Sequence, residues 1–67
     1  MAEPLTDVER LALEWLRDGK QDRFRSADAS VRDALVARGL VLRAGRRPAE
    51  RYTITNRGLE ALDAAQG

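Results

Sequence analysis

The sequence predicts an α+β domain in which three helices and a two-stranded antiparallel hairpin share one small core. Apolar residues recur at helical spacing over residues 8–16 and again over 31–35. Residues 52–55 alternate in period two, and a loop containing Gly45 and Pro48 separates them from a short apolar run at 40–42. The predicted order is helix, short connector, helix, strand, strand, helix, in a single compact domain spanning residues 1–67.

Length and composition restrict how such a domain is stabilised. The chain has 67 residues, with no cysteine and no histidine. A domain of this size buries only about 60% of the surface of its unfolded chain, so its stability is marginal. Disulfides are excluded, and a structural zinc site is excluded in practice because Cys and His are its usual ligands. We therefore expect no metal and no cofactor, and a core that is apolar or completed by another chain.

The same absences argue against an enzyme. Histidine and cysteine are the usual general bases and nucleophiles, and neither is present. The acidic residues are spread over helix surfaces without a paired-carboxylate pattern, and residues 45–51, GRRPAER, do not match the phosphate-binding loop G-x-x-x-x-G-K-[ST]. We expect a binding protein without catalytic activity.

The hydropathy of the chain gives no membrane or export signal. No apolar stretch approaches the roughly 20 residues of a membrane span. The acidic N-terminal segment lacks the apolar region of a signal peptide. We expect a cytoplasmic protein without membrane association, and disorder at residues 1–4 and 66–67.

The first helix has a defined start and stop. Thr6 fits the N-cap position and Glu9 follows three residues later, as a capping box requires. The helix is predicted over residues 7–18, with Gly19 ending it. Leu13 lies off the apolar stripe. The residues predicted to face inward are Val8, Leu11, Ala12, Trp15 and Leu16.

The connector at residues 20–26, KQDRFRS, is compatible with a helical turn, an extended segment or a loop. Phe24 is its only apolar residue and is expected to fill the core from the connector. Lys20, Arg23 and Arg25 surround this aromatic ring, a pattern that can bind nucleic acid. A solvated connector anchored by the ring is the favoured interpretation.

A second helix and a hairpin follow. The helix is predicted to begin near residues 26–28 and end at Arg38, because Gly39 can adopt the left-handed conformation that ends helices. Strands are predicted over residues 40–43 and 51–55, and the loop between them is basic. Its arginines are Arg43, Arg46, Arg47 and Arg51.

The last helix is predicted over residues 56–65, with Thr55 as its cap. Leu59 and Leu62 are expected to face inward. Gly58 lowers the helix propensity of the first turn, and we expect that it permits close packing against the hairpin.

Charge is distributed unevenly along the chain. The net charge is +1, yet residues 1–18 carry five acidic and two basic residues, and residues 19–67 carry ten basic and six acidic residues. Such asymmetry can mark a nucleic-acid-binding face. On charge alone, simple solvation of a small domain is the favoured explanation, because the pI of about 8.3 lies below the value near 9 that indicates a strong basic patch.

Three stretches together resemble the winged helix-turn-helix superfamily. VRDALVARGLV is similar to a recognition helix that runs into the first strand of a wing, and AGRRPAER is similar to a wing tip. YTITNRGLEAL is similar to the second wing strand and following helix of MarR-like regulators, with the pattern Y-x-[LI]-T-x-x-G-x-x-x-L. The resemblance covers about residues 30–62.

The resemblance implies a DNA-binding mechanism. In that superfamily the recognition helix enters the major groove and the basic wing contacts phosphates or the minor groove. Transferred by position, it implies that Asp33 and Val36 also lie near the exposed face of the second helix. The implied nucleic-acid-binding residues are Ser30, Arg32, Arg43, Arg46, Arg47 and Arg51. Arginine suits this role because its fork binds phosphate or guanine through two hydrogen bonds.

Three functional hypotheses follow. The first is a homodimeric transcription regulator that binds double-stranded DNA. The second is a winged-helix module that binds a protein, such as a phage-encoded or accessory factor acting on a host protein, since a fold does not determine a function. The third is a dimerisation unit of purely structural role.

Overall fold

The computed structural model describes residues 4–46 and 48–66 and confirms the predicted α+β fold class. The predicted order of elements is retained, and the connector contains a short additional helix. The elements are α1 (Asp7–Arg17), α2 (Gln21–Arg25), α3 (Ala29–Ala37), β1 (Val41–Ala44), β2 (Arg51–Ile54) and α4 (Asn56–Gln66). The two strands form an antiparallel sheet.

The predicted capping box at the start of α1 is confirmed. The backbone N–H of Glu9 donates to Thr6 Oγ1 at 3.1 Å, and the N–H of Thr6 donates to Glu9 Oε1 at 2.9 Å. At the other end, Gly19 adopts a φ of +78°. This left-handed residue lets the N–H of Lys20 turn back to the carbonyl of Trp15 at 2.7 Å. Both ends of α1 are therefore fixed by local hydrogen bonds.

The buried face of α1 is turned away from the predicted one. Ala12 and Leu13 have no exposed surface, whereas Val8 is 58% exposed and Leu11 is 46% exposed. The prediction that Val8 and Leu11 face the core is wrong. Hydrophobic periodicity locates the apolar arc of a helix, but the neighbouring elements decide which edge of that arc they cover. We call Val8 and Leu11, together with the half-buried Trp15 that packs against the core beside them, the α1 stripe.

Helix α2 exists because its one apolar residue is buried. Phe24 has no exposed surface, and its ring centroid lies 4.9 Å from that of Tyr52 at an interplanar angle of 55°. Tilted aromatic pairs of this kind add to the stabilisation from burial. The expectation that Phe24 fills the core from the connector is confirmed, and the helical turn is the alternative that the structure adopts.

The hairpin packs one face on the helices. Val41 pairs with Ile54 and Arg43 with Tyr52 in the antiparallel register. Tyr52 is buried and Ile54 is half-buried, as their alternation predicts. Strand β1 begins one residue later than predicted, at Val41, because residue 40 still belongs to the turn after α3.

Helix α4 is joined closely to the turn before β1. The side chain of Thr55 accepts from the N–H of Gly58 at 3.0 Å, which confirms the predicted cap, and donates to the carbonyl of Gly39 at 2.8 Å. A Cβ atom at Gly58 would lie 2.3 Å from the carbonyl oxygen of Leu40, so the expected close packing is confirmed. The inward direction predicted for Leu59 is wrong, since this residue is 41% exposed.

One cluster of apolar side chains joins these elements. Its buried members are Ala12, Leu13, Leu16, Phe24, Leu35, Leu40, Val41, Tyr52 and Leu62. All four helices and both strands contribute to this cluster, so the hairpin and α3 are held by the same core. Within the described part of the chain, every helix is too short or too polar to cross a membrane.

Candidate nucleic-acid interface

The wing is the hairpin of β1 and β2 with its loop at residues 45–50. Arg43, Arg46 and Arg51 are exposed on it, and Arg47 lies outside the described residues. Arg43 stands opposite Tyr52 and Arg51 stands opposite Ala44, at adjacent positions of the ladder. Because adjacent pairs of a ladder point to opposite faces, Arg43 and Arg51 project from opposite faces of the hairpin, with Arg46 at its tip.

These three arginines keep their charge available to a ligand. None of them forms an ion pair with another residue of the described ranges 4–46 and 48–66. The ion pairs of the structure lie mainly on α1, where Arg10 contacts Asp7 at 3.7 Å. The wing therefore carries an excess of positive charge that Glu50 of its loop offsets only in part, whereas the cations of α1 are neutralised locally.

The wing loop is held by α2. Arg25 Nη2 donates to the carbonyl oxygen of Pro48 at 2.7 Å across 23 positions of sequence. Within the loop, the N–H of Ala49 donates to the carbonyl of Arg46 at 2.7 Å, and Gly45 adopts a φ of +86°. These contacts fix the loop on one side, so that the wing arginines extend from a supported turn.

The free edge of β2 is closed by one side chain. Gln21 Nε2 donates to the carbonyl oxygen of Tyr52 at 2.7 Å, and the N–H of Tyr52 donates to Gln21 Oε1 at 2.6 Å. The amide thereby occupies both backbone groups that a third strand would use at this position. It also attaches the first turn of α2 to the wing.

Helix α3 presents a different surface from the wing. Ser30 is exposed in its first turn, and the exposed residues elsewhere on the helix are Ala29, Asp33 and Ala37. Val36 is half-buried. The N-cap residue Asp28 is exposed and makes no side-chain capping hydrogen bond. The face predicted to read DNA is thus small, weakly polar and acidic.

Arg32 contacts the protein itself. Its Nε donates to the carbonyl of Ala27 at 3.1 Å, and its Nη1 donates to the hydroxyl of Tyr52 at 3.2 Å. The guanidinium carbon lies 6.0 Å from the centre of the Tyr52 ring, within the range of a cation–π contact. This half-buried side chain connects α3 to β2 and supports the inner face of the wing.

A cleft between α2, α3 and the wing loop adjoins this arrangement. Its volume is about 590 Å³ and it is open to solvent. Arg25 and Arg32 contribute cations, while Asp22 and the buried Glu50 contribute anions. The balanced charge makes it a poor pocket for a phosphate group.

The structure groups the predicted site residues into two sets. Arg43, Arg46 and Arg51 lie together on the wing, while Ser30 and Arg32 belong to α3. Sequence reasoning missed Gln21 and the loop contact of Arg25 with Pro48. The basic composition of the connector is visible in the sequence. Its contacts with Tyr52 and Pro48 span 31 and 23 positions and leave no local pattern in the sequence.

Comparison of the chain with models of known protein families, with curated proteins and with solved structures found no significant match. Among the described residues, acidic side chains form no group of three or more arranged to hold a metal ion. Assignment of a function therefore depends on the geometry of the wing and α3.

Proposed function

We propose that this chain is a small winged-helix DNA-binding protein that acts as a transcription regulator and contacts double-stranded DNA chiefly with its wing. One observation carries the proposal: three exposed arginines without ion-pair partners among the described residues extend from a hairpin that α2 supports. Arginine on a supported hairpin suits a ligand that offers closely spaced anionic oxygens.

Duplex DNA provides such a ligand. Each guanidinium of the wing donates to phosphate oxygens, and each contact releases condensed counterions. Affinity then falls as salt rises, with a slope of about −0.9 in the logarithmic plot for every phosphate neutralised. Three or four wing arginines predict a slope of roughly −3 to −4 per protomer.

Helix α3 has a positioning role in this arrangement. Ser30 lies in its first turn, where its hydroxyl can contact a phosphate at the rim of the groove. Leu35 anchors the other face of α3 in the core, and Arg32 ties it to Tyr52. The helix and the wing therefore approach the duplex as one body.

We further propose that the active form is a homodimer in which a second copy covers the α1 stripe. Val8 and Leu11 are 58% and 46% exposed, which leaves an apolar strip on α1 that a second copy can bury. Two antiparallel copies of α1 would place Leu11 beside the partner's Leu11 and Val8 beside the partner's Trp15. Such isologous packing gives two wings and doubles the number of phosphate contacts.

Replacing wing arginines tests the proposed function. The double variant Arg43→Ala/Arg46→Ala should bind a duplex about 100-fold more weakly at low salt for each wing in contact with DNA, since each arginine contributes roughly tenfold. Its salt slope should be about 2 units shallower for each protomer. Fluorescence anisotropy with a labelled duplex, measured over a salt series, gives both quantities.

Arg17→Ala is the matched control, because Arg17 is an exposed arginine of α1 whose side chain contacts Asp18 at 3.4 Å. It should leave affinity and slope unchanged. Failure of the unaltered chain to bind any duplex at low salt would refute the proposed function, as would equal losses in the wing variant and the control.

A further inference from the structure

We infer, on the basis of the proposed function, that the chain binds duplex DNA with little dependence on base sequence and responds to the width of the minor groove. The exposed surface of α3 and the placement of the wing arginines carry this inference together. It specifies the kind of DNA that the proposed interface accepts.

Helix α3 lacks the side chains that read bases well. Direct readout in the major groove relies on Arg or Lys for guanine and on Asn or Gln for adenine. None of these types occurs among the exposed residues of α3, which are Ala29, Ser30, Asp33 and Ala37. Ser30 can bond to any base, and Asp33 can accept only from cytosine.

Arg32, the one arginine within α3, is engaged inside the protein. A guanine contact requires a pair of guanidinium nitrogens that point together at O6 and N7. In Arg32, Nε is used by Ala27 and Nη1 by Tyr52. Releasing this side chain would break both hydrogen bonds and its contact with the Tyr52 ring, so it is poorly placed to discriminate bases.

The acidic residues of α3 oppose deep insertion into a groove. Asp28 and Asp33 are both exposed, and neither forms an ion pair with another described residue. Two negative charges at the start and middle of the helix are repelled by the phosphates that flank the major groove. Repulsion of this kind keeps α3 at the rim, where base edges are out of reach.

The wing, in contrast to α3, carries positively charged side chains that can contact phosphates. Arg43 and Arg51 project from opposite faces of the hairpin, so one wing can place a guanidinium on each of two phosphate ridges. The ridges that border the minor groove are only about 6 Å apart in B-DNA. A narrow groove brings both ridges within reach and concentrates negative potential, which favours runs of A·T pairs without a fixed motif.

In vitro selection from a random duplex library, followed by anisotropy on single-base-pair variants, tests this inference. We expect no fixed motif, an enrichment of A·T runs at most, and less than about threefold change for any single base pair. A direct bidentate base contact would instead cost roughly 5- to 150-fold per changed pair. A selected motif with changes of that size would overturn the inference.

The variant Asp33→Ala tests whether α3 is merely repelled by the phosphates or reads bases. We expect it to tighten binding to every duplex by the same few-fold factor, because it removes a charge beside the phosphates and introduces no group that can read a base. Asp63→Ala on α4 is the matched control and should tighten binding less. A change of preferred base on Asp33→Ala would show that α3 reads DNA and would overturn the inference.

The two failures can be told apart by the same measurements. Failure of the unaltered chain to bind any duplex contradicts the proposed function itself. Strong binding to one motif, with weak binding to other duplexes, leaves the proposed function intact and contradicts only the inferred lack of sequence preference.

Discussion

Single residues decide how closely the elements of this small domain approach one another. Gly58 stands in the first turn of α4, where a Cβ atom would be 2.3 Å from the carbonyl oxygen of Leu40 and 2.7 Å from the Ile54 side chain. The first neighbour is backbone and cannot rotate away. Helix propensity disfavours glycine here, so its presence is explained by packing and not by local conformation.

The variant Gly58→Ala should therefore lower the free energy of unfolding by about 2 kcal/mol. Because the clash is with backbone, the overpacking cost should lie near the upper end of the usual range of about 1–3 kcal/mol, and it outweighs the gain of about 1 kcal/mol in helix propensity. Urea unfolding followed by circular dichroism gives this value. The exposed Ala64→Gly change in the same helix is the control for propensity alone, and a stabilised Gly58→Ala variant would contradict the packing described.

Local sequence patterns predicted the helix caps correctly. They failed to predict the burial of several side chains, because burial depends on residues that are distant in sequence. The caps formed by Thr6 and Thr55 are confirmed, because the capping partners lie within three residues. The burial of Val8, Leu11 and Leu59 was predicted wrongly. An amphipathic arc is wider than the strip that another element covers, and a sequence does not indicate which part of the arc is covered.

At the level of elements, α2 depends on the wing. Five residues are too few to form a stable helix alone, and its N-cap residue Lys20 makes no side-chain capping hydrogen bond. Burial of Phe24 and the bonds from Gln21 and Arg25 to the wing supply the stabilisation. The sequence left this segment undecided for that reason, since its partners lie 23 and 31 positions away.

The variant Gln21→Ala should destabilise the domain by about 2–3 kcal/mol. It leaves the N–H and carbonyl of Tyr52 at a half-buried strand edge without these two partners, and each unsatisfied group is costly. The exposed edge should also promote association between copies. Urea unfolding and light scattering measure the two effects.

Gln21→Glu is the informative control for that change. Its carboxylate can still accept from the N–H of Tyr52, but its second oxygen faces the carbonyl oxygen of Tyr52 and repels it, so its loss of stability should be at least as large as that of Gln21→Ala. A Gln21→Ala variant as stable as the unaltered chain would show that the double hydrogen bond contributes nothing.

At the level of the whole molecule, the basic surface of the wing and the apolar surface of the α1 stripe are distinct. The wing carries exposed arginines that outnumber its one carboxylate, Glu50. The α1 stripe carries exposed apolar side chains beside Asp7 and Glu14, which Arg10 contacts at 3.7 and 3.9 Å. Val8 and Leu11 of the stripe are 58% and 46% exposed, so the described residues of the chain leave this apolar surface largely uncovered. The proposed homodimer covers the stripe and leaves both wings exposed.

Sedimentation equilibrium should therefore detect a dimer of the unaltered chain at micromolar concentration. Leu11→Arg should yield a folded monomer, because a charge at the centre of the stripe would be buried without a partner. Leu42→Arg is the matched control, since Leu42 is 63% exposed on the hairpin, and it should remain dimeric.

An unaltered chain that is monomeric at roughly 100 µM would contradict the homodimer, since the free energy of association would then be weaker than about −5.4 kcal/mol. The α1 stripe would in that case be covered by a different protein. That outcome favours the second candidate function, a protein-interaction module.

The dependence of α2 on the wing also shapes how the native state fluctuates. Helix α2 has too few residues to be stable alone, and it is held by the buried Phe24 ring and by two side-chain contacts with the wing. We expect α2 and the wing loop to open together while α1 and α4 remain packed, because release of α2 breaks the contacts that hold the loop. Hydrogen exchange should then be faster for the amides of α2 and the wing loop than for those of α1 and α4.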